Sequence, residues 1–421
     1  MRSPSTIALI SVHSDPADET DSQNIYVRQV GEALSGLGWQ VDMFTRKTNQ
    51  LQATIVQHNS KCRTIRLTAG EESFVDRQKL IGYLPEFLKQ LRQFQLENDL
   101  QYHLIHTNYW LSAWVGMELK KTQPLKHIHT YHGLGAAEYI YQQNFDNTDK
   151  IRLKIEKTCL ETADLCIATC PQQRDYLREL VSDRGNVEII PCGTDTNLFG
   201  SVSYTQARKK LGIEPDIFNI VYVGKLDSAS GIETLIKAVS KSQLHSVANI
   251  RLSLVNNSNF NNPLLKKRIE KLAWDLGIDN IITFVDRVDR AELTTYYAAG
   301  DVCVVPSQYN PLGMIAIEAM ASGTPVIASN LGGLKHAIQH EQTGLLFPSQ
   351  NSFLLTRAIH RLAIKPERRS QLSKAARERV EELFTWDSIA SQLNEFYLEQ
   401  SELQNLEVLH KSLHYLVKEA S

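Results

Sequence analysis

Short β-branched and aliphatic runs alternate with amphipathic segments along almost the whole chain. In the first half the runs read TIALISV, QVDMFT, TIRLT, HLIHT, KHIHT, LCIAT and VEIIP. Between them, NIYVRQVGEALSGLG and YLPEFLKQLRQFQLEN carry apolar residues at helical spacing. A second series then begins with NIVYVG, NIRLSLV, IITFVD, VCVVP and PVIAS. Strands that alternate with helices form parallel sheets wrapped by those helices. The two series therefore predict an α/β protein of two doubly wound, Rossmann-like domains. The change of series falls near PCGTDTNLFGSVSYTQ, where strand character gives way to polar and glycine residues. The expected division is an N-terminal domain over 1–200, a C-terminal domain over 201–385 and a helical segment over 386–421. Two such sheets facing each other leave a cleft at the carboxyl ends of their strands, the usual place for a ligand.

Composition narrows the classes of partner. A length of 421 residues exceeds what one hydrophobic core organises, and 42% hydrophobic with 22% charged residues describes a soluble globular chain. A formal net charge of −2 offers no field for nucleic acid and no polybasic lipid-binding surface. An anionic ligand has to be held by local groups. The six cysteines are scattered, with no Cys-x-x-Cys pair and no Cys/His run at zinc-ligand spacing, which fits buried free thiols in a reducing, cytoplasmic compartment. No segment approaches the roughly 20 apolar residues of a membrane span. No Gly-x-Gly-x-x-Gly follows the first strand, which argues against a dinucleotide-dependent oxidoreductase.

The segment PSQYNPLGMIAIEAMASGTPVIAS, residues 306–329, holds a lone carboxylate, Glu318, in an apolar helical stretch. An ionised carboxylate in such a setting needs a partner. The helix follows the buried strand VCVVPS and is expected to start near Gly313, so its free amides favour an anion. Glu318, about one and a half turns in, can accept two hydrogen bonds from a pair of vicinal hydroxyls such as a ribose diol.

The stretch YNPLGMIAIEAMASGTPVIASNLGGL resembles the signature of the retaining GT-B glycosyltransferases of family 4: two glutamates, then a Gly-Thr-Pro-Val strand and a Gly-Gly turn. VHSDPADETDSQNIYVRQVGEAL, HTNYWLSAWVG, TYHGLGAAE, IPCGTDTNLF and VGKLDSASGIETLIKAV follow the same family's order, over roughly residues 6–385. QNIYVRQ, LIGYLPEF and NYWLS resemble the branch containing sucrose-phosphate synthases and glycosyltransferases acting on inositol phosphate. The resemblance implies a metal-independent hexosyl transfer from a UDP- or ADP-sugar to a phosphorylated sugar or polyol, with no cofactor beyond the nucleotide sugar. It assigns Glu318 to the ribose, Lys225 to the diphosphate, His132 to the transferred sugar, and Ser22, Ser230, Leu312 and Gly313 to the donor. Lys79, Tyr109, Thr130 and Arg152 match phosphate-binding places for the acceptor. His13, His106 and His129 read as packing residues.

The chain also departs from the family pattern. Asn310 stands for the first glutamate of the signature, and Lys225 and Ser230 stand where an arginine and a lysine clamp the donor diphosphate. Asp21-Ser22 stands for a Gly-Gly pair in the first loop, putting a negative charge where phosphate is expected, and Asn108 replaces a histidine. Stabilising the charge on the leaving diphosphate dominates such chemistry. The alternative reading is thus a relative that keeps the fold but has lost catalysis and serves as a regulatory or scaffolding subunit, with the C-terminal helix available to a protein partner.

Overall fold

The computed structural model describes residues 6–18, 21–139, 147–225, 228–256 and 263–400. It divides into two compact units. One comprises Met1–Thr169, Gln173–Ile190 and Ile389–Ser421, and the other Cys170–Gln172 and Pro191–Ser388. The compact units part between 190 and 191, and residues 389–400 belong to the first unit.

The first unit is built on an eight-stranded sheet of Thr6–Ile10 (β1), Gln40–Arg46 (β2), Ile55–Asn59 (β3), Cys62–Leu67 (β4), Leu104–Asn108 (β5), Lys126–Tyr131 (β6), Leu165–Ala168 (β7) and Val187–Ile189 (β8). The spatial order is β3-β4-β2-β1-β5-β6-β7-β8, parallel except for the β3–β4 pair. The strand order reverses at β1, so the ends of β1 and β5 form the switch point where doubly wound sheets bind ligands. The expected strands of this half are all present. β3 was not foreseen from the sequence: its IVQHN pattern lies on an exposed edge and buries little. The second unit carries a six-stranded parallel sheet of Ile217–Val223 (β9), Asn249–Val255 (β10), Ile282–Val285 (β11), Val302–Val305 (β12), Val326–Ser329 (β13) and Leu345–Phe347 (β14). Its order is β11-β10-β9-β12-β13-β14, with the switch between β9 and β12. β14 is too short to announce itself.

Strand interiors explain the stability of both sheets. β1, β5, β6, β12 and β13 are buried almost throughout, and helices cover them with Leu, Ile and Phe side chains. Residues 386–400 are helical, and Tyr397 and Asn394 fasten this segment to the first unit. Tyr397 Oη lies 2.5 Å from His106 Nδ1, and Trp39 Nε1 donates to Asn394 Oδ1 at 2.7 Å. Residues 401–421 of the expected C-terminal helix lie outside the described residues. Among the described residues no helix is long and apolar enough to cross a membrane.

Candidate functional site

In the first unit the candidate groups gather around the ends of β1, β5 and β6. Helix Ser22–Gly36 begins at Asp21, whose carboxylate accepts the amides of Gln23 and Asn24, each at 2.9 Å, and the Ser14 hydroxyl at 3.1 Å. This N-cap explains the acid in the first loop: it satisfies orphan amides and complements the helix dipole. The helix N-terminus that a phosphate would otherwise meet is capped from within, and Ser22 itself is exposed.

His132 follows β6, and its Nε2 lies 2.8 Å from Asn108 Oδ1 at the end of β5. That pairing makes Nε2 the protonated nitrogen and leaves Nδ1 a buried acceptor with no partner among the described residues. Burial pushes the imidazole down to about 3, so it is neutral. Asn108 thus fixes the tautomer of His132.

Tyr109 starts helix Tyr109–Lys120 with φ at +72°, a left-handed conformation that costs a non-glycine residue. Its ring is packed by His13 at 4.6 Å, with the guanidinium groups of Arg77 and Arg152 5.6 and 5.2 Å from its centroid. Both ring nitrogens of His13 are buried with no hydrogen-bond partner among the described residues. Burial lowers its pKa well below normal, helped by Arg77, His132 and Arg152. His13 is therefore part of this cluster rather than simple packing. Arg77, missed from the sequence, occupies the position beside Tyr109, while Lys79 is exposed on the short helix Lys79–Tyr83.

Two of the expected acceptor groups are engaged within the first unit. Thr130 is buried in the sheet, where its Oγ1 is 2.7 Å from His106 Nε2. Arg152 is already neutralised. Its Nη1 and Nη2 donate to Glu138 at 2.7 and 3.1 Å and its Nε donates to Glu156 at 2.8 Å. Glu156 also accepts the Gly135 amide, and burial raises its pKa to about 7 against the pull of Arg152. Glu156 stands one helical turn after Arg152 on helix Asn147–Thr162, a spacing the sequence shows, whereas Glu138 meets Arg152 only through the fold.

The buried strand histidines have structural partners. Thr107 Oγ1 sits between His127 Nε2 at 2.7 Å and His129 Nδ1 at 2.9 Å. His127, His129 and Cys159 are the one group among the described residues whose possible metal-ligating atoms all lie within 4.8 Å. Residues 30 positions apart leave no spacing signature, so the sequence could not show this grouping.

In the second unit the groups lie at the β9/β12 switch. Gly224, Gly231 and Gly313 all have positive φ. A Cβ on Gly231 would stand 1.9 Å from Pro306 O, so the loop after β9 lies directly on the end of β12 and only glycine fits. Lys225 is exposed, and Ser230 is nearly buried, with its Oγ accepting the Ile232 amide at 3.4 Å. Gly313 precedes helix Met314–Ala321, the start expected from the sequence. Its amide is taken by Asn310 Oδ1 at 2.8 Å. Asn310 thus closes the loop at the helix start, and the Gly313 amide is not open to a ligand. Leu312 lies in this loop, half-buried.

Glu318 is 4% exposed and paired. Arg290 Nη1 is 3.1 Å from its Oε1, and Tyr297 Oη donates to its Oε2 at 3.0 Å. Burial raises its pKa, opposed by Arg290 and Tyr297. Both partners sit on helix Arg290–Ala298, whose start is set by the Asp289–Glu292 capping box. Arg290 also stacks on Phe199, 4.9 Å from the ring centroid. Neither partner was legible in the sequence, being separated from Glu318 by an entire strand.

Comparison with known proteins follows the same division of the chain. Residues 23–198 match the family model described as Glycosyltransferase Family 4, and residues 203–379 match Glycosyl transferases group 1. A D-inositol 3-phosphate glycosyltransferase of Corynebacterium urealyticum is 30% identical over 402 residues, covering 93% of this chain and 95% of its own. Another, of Corynebacterium aurimucosum, is 29% identical over 409 residues, covering 94% and 97%. A solved sucrose-phosphate synthase from Thermosynechococcus elongatus is 42% identical, with a TM-score of 0.86 over 95% of this chain and all of that one. Anabaena HepE, solved with UDP and glucose, shares the fold at a TM-score of 0.73 and 17% identity. With two Rossmann-like sheets and a match running through both, the chain belongs to the family 4 glycosyltransferases of GT-B fold.

Proposed function

We propose that the protein is a retaining, metal-independent hexosyltransferase that moves a hexose from a UDP- or ADP-sugar to a phosphorylated sugar or polyol. The observation that carries this reading is Glu318. It is a buried carboxylate on the helix behind β12, paired on one side of each oxygen and able to accept a further hydrogen bond at each. In the proposed role it holds the ribose diol. Lys225 meets the diphosphate, and the first free amides of helix Met314–Ala321, beyond that of Gly313, face the donor's anionic end. Neutral His132 accepts a sugar hydroxyl at Nδ1, since Asn108 holds its other nitrogen. On the acceptor side, Arg77, His13 and Tyr109 are the groups proposed to receive the acceptor phosphate, with Arg152 released from Glu138 to join them. The sucrose-phosphate synthase and the inositol-phosphate enzymes, named for phosphorylated acceptors or products, support this choice of acceptor class.

The donor end carries fewer cations than the family pattern. A single charge-stabilising contact on a leaving group is worth about 3 to 4 kcal/mol, or about a hundred- to thousandfold in rate. Turnover well below that of relatives with both cations is the consequence. The alternative is a fold-retaining protein without catalysis that serves as a regulatory or scaffolding subunit, a reading raised by the sequence departures at Asp21-Ser22, Lys225, Ser230 and Asn310. The test is release of UDP or ADP from sugar nucleotides mixed with a panel of phosphorylated sugars and polyols. Acceptor-dependent release supports the transferase and overturns the second reading. No release from any pair overturns the transferase.

A further inference from the structure

We propose that Arg290 is a positioning residue that turns Glu318 into a receptor for a vicinal diol and so gives the donor site its preference for ribonucleotides. This rests on the reading of Glu318 as the ribose-binding group and adds the device that makes it selective.

An ionised carboxylate has about four acceptor positions, two on each oxygen. Arg290 Nη1 uses one on Oε1, and Tyr297 Oη uses one on Oε2. One position remains on each oxygen, on the two neighbouring atoms of one rigid group. That is the acceptor pattern which two adjacent hydroxyls satisfy together, and one hydroxyl satisfies only by half. Arg290 is well suited to fix this pattern. It occupies the first turn of a helix whose start is locked by the Asp289–Glu292 box, and its guanidinium lies on the Phe199 ring. The Tyr297 ring packs edge-on against the same Phe199 at 5.7 Å, so both partners of Glu318 share one support.

The charge matters as well as the hydrogen bond. Glu318 lies among Ala316, Ile317, Ala319 and Met320, with Cys303 behind it. A carboxylate there without a cation becomes neutral or turns away from its site. A protonated carboxyl would offer a donor in place of an acceptor and lose the match to two hydroxyl donors. Arg290 Nη2 adds a further feature: it is buried without a hydrogen-bond partner among the described residues. A buried donor left this way is stabilised by a ligand oxygen beside Glu318.

The test is calorimetric titration of the full-length protein with UDP and ADP and with their 2′-deoxy counterparts, for the wild type, Arg290→Lys, Arg290→Gln and Tyr297→Phe. Thermal unfolding is followed for each variant. The expected result is wild-type binding at least tenfold tighter for the ribonucleotide. Arg290→Lys keeps most of that ratio by keeping the charge. Arg290→Gln loses the ratio and at least tenfold in affinity, and Tyr297→Phe keeps the ratio with a smaller loss. Arg290→Gln that binds and discriminates like the wild type overturns the inference while leaving the proposed function standing. Wild-type protein that binds no nucleotide overturns both. Should Arg290→Gln not fold, Arg290→Lys decides: loss of the ratio in that folded, charged variant overturns the role assigned to charge.

Discussion

Mild acid should destabilise the first unit through its buried histidines. His106, His127 and His132 are each pushed down to about 3 by burial, and His13 and His129 lie well below the ordinary value for the same reason. A histidine whose folded pKa is depressed contributes stability above its unfolded pKa of about 6.5, and that stability is lost as pH falls below it. At pH 5.5 each group that protonates only on unfolding favours the unfolded chain by about 1.4 kcal/mol, so five give about 7 kcal/mol. Glu156 opposes this. Its folded pKa, about 7, lies above the unfolded value, so it stabilises the fold at low pH and loses that contribution as pH rises. Between pH 7.5 and 5.5 it returns about 2 kcal/mol. The net loss of about 5 kcal/mol is a large part of an ordinary domain's stability of roughly 5 to 15 kcal/mol. Urea unfolding at pH 7.5 and 5.5 and constant ionic strength measures it. Glu156→Gln provides the control, because its Oε1 can still accept from Gly135 and Arg152 while the titration disappears; its loss should grow to about 7 kcal/mol. Equal or greater stability at pH 5.5 in both proteins would refute the linkage.

Three further outcomes follow from local geometry. Asp21→Ala removes the N-cap of helix Ser22–Gly36 and should cost about 1 kcal/mol in unfolding free energy without weakening nucleotide binding, because the carboxylate acts as a cap. Gly231→Ala meets both a positive φ and Pro306 O at 1.9 Å, and should destabilise the second unit by about 3 kcal/mol in denaturant titration. Asn108→Ala releases His132 Nε2 and should lower turnover roughly tenfold, the equivalent of one hydrogen bond, while leaving the affinity for UDP or ADP alone unchanged in calorimetry.

The architecture was readable because buried parallel strands are written as continuous apolar runs, and helices between them as periodic ones. β3 and β14 escaped this reading because one lies exposed on an edge and the other has three residues. The helix start at Gly313 and the burial of Glu318 were equally legible, since both follow from local pattern. What holds Glu318 was not. Arg290 and Tyr297 arrive from another helix, and no spacing rule links them to it. Loop substitutions were visible but their duties were not: Asp21 looked like a charge placed against phosphate and proves to be a helix cap. Arg152 and Thr130 matched the acceptor positions in sequence, yet two carboxylates claim the first and His106 claims the second. Partners contributed by the fold decide whether a polar side chain is free for a ligand.

The proposed donor site stands or falls with Glu318 as the anchor of a nucleotide sugar. Titrating the purified protein with UDP, ADP and their glucose derivatives, beside Glu318→Ala, tests it before any acceptor is known. Micromolar binding of one nucleotide that disappears in the variant is the expected result. No binding at millimolar ligand, or binding that survives the loss of Glu318, would contradict it.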